Sequence, residues 1–194
     1  MTQLDPKYIP AADLDKNGVP TWHGNWETFH KYYKDKNYIC KTCELPDKAV
    51  LAETGFRIGY GAHAFLEAQP LAAKYLAYDL DQCEFGVSAL KSRFSKVDVQ
   101  LFVGNSMQVE ELPEPVDFFH VDGAHCYNGC MHDLILALKS LKSGGYLLID
   151  DYKLNIRSCK VRKAVDDFLA MRRGEFSFVQ YFDTWRGDYL MRKA

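Results

Sequence analysis

The stretch Ala49-Val50-Leu51-Ala52-Glu53-Thr54-Gly55-Phe56-Arg57-Ile58-Gly59-Tyr60-Gly61 decides how this chain is read. A short apolar run, Ala49 to Glu53, ends in a glycine-rich turn that leads into a helix near Ala62 to Glu67. Glycines allow the backbone to turn sharply there and let a ligand approach main-chain amides at a helix N-terminus. The spacing, Gly55-x-x-x-Gly59-x-Gly61, is not the Gly-x-Gly-x-x-Gly of nicotinamide sites. Glu53 stands at the mouth of the turn, where a carboxylate repels a pyrophosphate and attracts an ammonium group.

Outward from this turn the chain alternates short apolar runs with longer amphipathic ones, the signature of βαβ units and a parallel sheet. Further strands are expected at Tyr75 to Asp79, Val99 to Val103, Val116 to Val121 and Tyr146 to Ile149. Helices are expected at Glu84 to Phe94, Tyr127 to Leu141 and Val161 to Arg173. In the second of these, Met131, Leu134, Ile135, Leu138 and Leu141 recur at helical spacing, and Gly144-Gly145 is read as its stop. Phe176 to Phe182 and Asp188 to Met191 both read as strands with a short Gly187-containing link, so the chain closes on an antiparallel hairpin. The expected fold is α/β, doubly wound, with a mostly parallel seven-stranded sheet.

The 194 residues suit one domain with a substantial core. Residues 1–47, rich in aromatics (Tyr8, Trp22, Trp26, Phe29, Tyr32, Tyr33, Tyr38), are expected to form a helical cover, and residues 48–194 the ligand-binding domain. A net charge of −2 gives no field for holding a polyanion, which disfavours nucleic acid as a partner. With neither a signal-peptide pattern nor a membrane-length apolar run, a soluble cytoplasmic protein without a membrane partner is expected. The cysteines (Cys40, Cys43, Cys83, Cys126, Cys130, Cys159) read as reduced thiols, and the lone Cys40-x-x-Cys43 as structural rather than zinc-binding.

Three polar positions fall at the carboxyl ends of successive strands, where open α/β sheets bind ligands. Glu53 suits the ammonium of a methionine moiety, Asp79 suits ribose hydroxyls, and Asn105 in Gly104-Asn105-Ser106 suits an adenine edge. Val121-Asp122-Gly123-Ala124-His125, the long helix after it, and Ser143-Gly144-Gly145-Tyr146-Leu147-Leu148-Ile149-Asp150-Asp151-Tyr152 then carry a resemblance. The chain resembles class I S-adenosylmethionine-dependent methyltransferases of Rossmann-like fold, in particular small metal-dependent O-methyltransferases that act on catechols or antibiotic sugars.

The resemblance implies an S-adenosyl-L-methionine site built from Glu53, Gly55, Gly59, Asp79, Asn105, Ser106 and Asp122. It also implies Asp122, Asp150 and Asp151 as ligands of a divalent cation such as Mg²⁺, which suits an all-oxygen set. His125 stands three residues after Asp122, where catechol-type relatives carry a lysine, and its ordinary pKa of about 6.5 suits a general base. Sugar-modifying relatives place an aspartate two residues after the metal acid, where this chain has Ala124. The expected reaction is Mg²⁺-assisted O-methylation of a small-molecule hydroxyl. Metal-independent transfer to a nitrogen or RNA site, or a non-catalytic cofactor-binding module, are the alternatives, and the sequence allows a homo-oligomer. His63, His120 and His132 are read as structural or surface residues.

Overall fold

Strands such as Val50–Thr54 and Val116–Val121 are buried along their whole length, so each must be covered on both faces. The computed structural model describes residues 26–81, 84–154 and 159–194. Its elements run α1 (Trp26–Thr42), β1 (Val50–Thr54), α2 (Tyr60–Ala68), β2 (Lys74–Asp79), α3 (Glu84–Arg93) and β3 (Asp98–Val103). A 3₁₀ turn (Ser106–Gln108) follows, then β4 (Val116–Val121), α4 (Tyr127–Ser140), β5 (Leu141–Ile149), α5 (Val161–Met171), β6 (Phe176–Phe182) and β7 (Asp188–Lys193). Of the expected cover, residues 1–25 with Tyr8 and Trp22 lie outside the described residues, as does Cys83.

The seven strands form one sheet in the order β3-β2-β1-β4-β5-β7-β6. β1 to β5 pair in parallel, and β7 runs antiparallel to both β5 and β6. Alternation along each strand sends side chains to opposite faces and makes two cores. Phe119, Leu147 and Ile149 pack with Leu134, Ala137 and Phe168 of α4 and α5. Phe118, Leu148 and Leu190 pack on the other face with Ile39 of α1, Phe65 and Leu66 of α2 and Leu90 of α3. No helix among the described residues is long and apolar enough to cross a membrane.

Most expected bounds shift by one or two residues, and the start of β5 moves furthest, from Tyr146 to Leu141. The long helix stops at Ser140, and Gly144-Gly145 lie inside β5 rather than at a helix end. Leu141 still donates its N–H to Ala137 but already has extended angles (φ −69°, ψ 136°), and it pairs with Val116. The register then slips before Phe118 pairs with Tyr146, and Gly144 at φ 78° supplies the bend that this irregularity needs.

Candidate functional site

The sheet order reverses between β1 and β4, and a crevice opens beyond the strand ends at such a point. A cavity of about 740 Å³ lies there. Glu53 and Gly55 of the β1 end, Gly61 of the first turn of α2 and Asp79 of the β2 end line one side. Asp122 and His125 after β4, Asp150 after β5, Arg186 of the hairpin link and Tyr32 of α1 line the other. Its size falls within the range of small-molecule sites.

Glu53 is 1% exposed and sits beside His120 in the β1–β4 pairing, 3.3 Å from its Nδ1. Its Oε1 makes no hydrogen bond of normal geometry among the described residues, although the Tyr75 hydroxyl lies near it. Burial pushes the Glu53 carboxyl well above the usual carboxylate range, and repulsion from Asp122 and Asp79 adds to this. Gly55 is required by packing as well as by its turn: at φ +88°, an added Cβ would stand 2.0 Å from the Asp122 carbonyl oxygen. Gly59 caps α2 against the Phe56 ring and does not line the cavity, whereas Gly61 does, with Glu53 Oε2 3.0 Å from where its Cβ would be. Asp79 accepts hydrogen bonds from the Arg57 and Asp81 amides, so the loop is wrapped around a carboxylate that also faces the cavity.

Asn105 and Ser106 lie elsewhere. Asn105 Oδ1 accepts from Met107 N at 3.0 Å as the cap of the 3₁₀ turn, and the side chain borders a separate 560 Å³ depression with Tyr78 and Phe102. Ser106 opens the 3₁₀ turn. Asn105 is thus a cap of the 3₁₀ turn, and neither residue is among those that line the 740 Å³ cavity. Cys40 and Cys43 are buried thiols that reach the Phe65 and Ile39 carbonyls, and burial raises Cys43 to about 12, which suits core packing rather than metal binding.

The acidic residues do gather, but with cations among them. Asp150 Oδ2 lies 3.1 Å from Lys36 Nζ, and its Oδ1 accepts from the Asp151 N–H at 2.8 Å. Lys36 also donates to Asp188 Oδ1, and Thr184 donates to Asp188 Oδ2 at 2.6 Å. Asp151 accepts from Arg186 Nη1 at 3.1 and 3.2 Å and lies 2.9 Å from His125 Nε2. Asp122 accepts from the Tyr32 hydroxyl at 3.2 Å and lies 3.6 Å from His125. Burial and then Asp150 push Asp122 up to about 7, against the pull of His125 and Lys36. The neighbouring acids Asp122 and Asp151 raise His125 to about 10, against the pull of its burial.

The expected metal set of Asp122, Asp150 and Asp151 does not converge as one group. Asp122 and Asp150 have ligand atoms within 4.8 Å of His120, and Asp122 and Asp151 within 4.8 Å of His125, as two different groups. The backbone explains the split: Asp151 takes φ 60°, which turns its carboxylate away from that of Asp150 toward Arg186. The same acids favour the protonated form of His125, which works against the general-base role expected of it.

Sequence reasoning missed Tyr32, Lys36, His120, Arg186 and Asp188. For His120 a signal exists, since period-two alternation places it on the same face as Asp122. Tyr32 and Lys36 are four apart on α1 and therefore share a face. Nothing local tells where that face docks.

A family model described as a methyltransferase domain matches residues 52–152. Protein R132 of Acanthamoeba polyphaga mimivirus is 33% identical over 70 residues, which is 36% of this chain and 32% of that protein. The chain thus spans about a third of the length of this curated relative. Among solved structures, the O-methyltransferase TomG from Streptomyces achromogenes, involved in tomaymycin synthesis and in complex with SAM, aligns with a TM-score of 0.66 at 17% identity, covering 84% of this chain and 79% of that one. The O-methyltransferase from Bacillus cereus in complex with SAH aligns at 0.63 and 16% identity, covering 96% and 84%. At these identities the structural likenesses speak for the fold.

Proposed function

This chain belongs to the methyltransferase-domain family, and on that premise we propose that its cavity binds S-adenosylmethionine and transfers the methyl group to a hydroxyl of a small molecule. The observation that carries this reading is the joining of Glu53, Asp79 and Asp122 around one 740 Å³ cavity at the reversal of the sheet. The residues fit the cofactor. The buried Glu53 Oε1 supplies an acceptor for an ammonium, the start of α2 supplies amides for a carboxylate, and Asp79 supplies an acceptor for ribose hydroxyls. Bound there, S-adenosylmethionine supplies an electrophilic methyl group on a sulfonium.

The chain's own work is alignment, exclusion of water and removal of a proton. Asp122 faces the cavity with its side chain 20% exposed, and burial holds its pKa near neutrality, so it is the group suited to take a proton from an acceptor hydroxyl. His125 and Tyr32 flank Asp122 and steady it. A magnesium-assisted version requires Asp122, Asp150 and Asp151 to meet on one ion, and two of these already pair with Lys36 and Arg186. The donor set does not fit that ion.

Calorimetry with S-adenosylhomocysteine tests the cofactor half: one site per chain is expected, weakened at least tenfold in Glu53→Ala. Transfer of labelled methyl from S-adenosylmethionine across a panel of diols and phenols tests the acceptor half. Label appearing only on amines or RNA would sink the hydroxyl assignment.

A further inference from the structure

We propose that the Lys36 ammonium is the resident cation of this site, standing where the acidic residues would otherwise gather a divalent ion, so that the site works without one. Only the activity arm of the test below rests on the methyl-transfer reading. Lys36 is 1% exposed. Lysines are almost never buried so fully unless paired, and here the pairing is built on every side. The ammonium contacts Asp150 and Asp188 and lies 5.0 Å from the centre of the Tyr32 ring. Both oxygens of each carboxylate already meet a protein donor: Lys36 and the Asp151 amide for Asp150, Lys36 and Thr184 for Asp188.

The charges point the same way. Asp122, Asp150, Asp151 and Asp188 bring four negative charges when ionised, and Lys36, Arg186 and protonated His125 answer three of them. One negative charge is left over across the group, because Lys36 is shared by Asp150 and Asp188 and His125 by Asp122 and Asp151, and of these acids Asp122 and Asp150 line the cavity. One unit suits a monocation or a transferred proton. A doubly charged ion would exceed it and would have to sit beside an ammonium and a guanidinium already held by the same acids. Lys36 is thereby a positioning residue: it fixes Asp150 and Asp188 while Asp122 stays available.

Titration of the full chain with Mn²⁺ in the presence of S-adenosylhomocysteine, read by calorimetry and by the Mn²⁺ electron-spin resonance signal, tests this. Wild type is expected to take up no Mn²⁺ at roughly millimolar concentration, and its methyl transfer is expected to be unchanged by EDTA. Lys36→Ala is expected to gain an Mn²⁺ site, because Asp150 and Asp188 lose their counter-charge, while Lys36→Arg gains none. Stoichiometric Mn²⁺ uptake by wild type, or a folded Lys36→Ala chain that takes up none, overturns the proposal. Should Lys36→Ala fail to fold, the wild-type titration decides alone. A failure of S-adenosylhomocysteine to bind is recorded separately in the same cell and counts against the cofactor reading, not against the role of Lys36.

Discussion

Asp122 is an acid of the nest that faces the cavity, and its environment sets when it can act. Its pKa of about 7 means that it becomes a base as pH rises through neutrality, whereas His125 loses its proton only near 10. Hence kcat/KM, which reports the ligand-free enzyme, should climb as pH passes about 7 and decline as it passes about 10. Asp122→Asn should lower kcat by roughly 10²- to 10³-fold, with S-adenosylhomocysteine binding retained in calorimetry. A second residue-scale expectation concerns Gly55, where an added Cβ meets the Asp122 carbonyl at 2.0 Å and φ is +88°. Gly55→Ala should cost roughly 1–3 kcal/mol in urea unfolding. The importance of Gly55 and Asp122 was legible in the sequence, because glycine after a strand and acid after a strand each have few roles. The charge state of His125 was not, since it depends on Asp151 lying 2.9 Å away across a turn that has no sequence signature.

At the scale of elements, the end of β5 shows how two adjacent acids acquire different duties. Asp150 continues the strand and points to Lys36, while Asp151 takes left-handed angles and supports His125 and Arg186. Asp151→Asn should keep the turn, because asparagine tolerates those angles, and lose the charge. The His125 pKa, followed by NMR titration of its ring protons, should then fall from about 10 toward the ordinary histidine range. The strands were legible nearly to the residue, with β4 and β6 at their expected bounds, because β-rich runs between polar turns leave little freedom. β5 was misjudged at its start: Leu141 satisfies a helical spacing and a strand pairing equally well, and only the neighbour Val116 settles which prevails. Lys36 illustrates the same limit, for a lysine on an amphipathic helix reads as solvated until the helix is laid against Asp150 and Asp188.

For the molecule as a whole, a mostly parallel seven-stranded sheet ending in a hairpin was legible in the alternation of elements, whereas the strand order came only with the structure. The electrostatics of the crevice is a property of assembly, since its charges arrive from α1, the β1, β4 and β5 ends and the β6–β7 link. Stability should register this. His125 has an ordinary value of 6.5 and a folded value of about 10, so its contribution is fully present below 6.5 and is lost as pH rises through 10. The thermal midpoint of wild type should therefore decline across that window, and His125→Gln should decline less. Equal slopes in the two proteins would show that the imidazolium pairing contributes nothing to the fold.

The pairing of Lys36 with Asp188 spans 152 positions, and β7, although last in chain order among the described strands, lies between β5 and β6 in the sheet. Until β7 slots in, Lys36 has only the Asp150 half of its clasp. The last strand to be made in the described sheet thus carries the second acid of the Lys36 pair, and the charge balance at the strand ends is completed only when the chain has been paired out to Asp188.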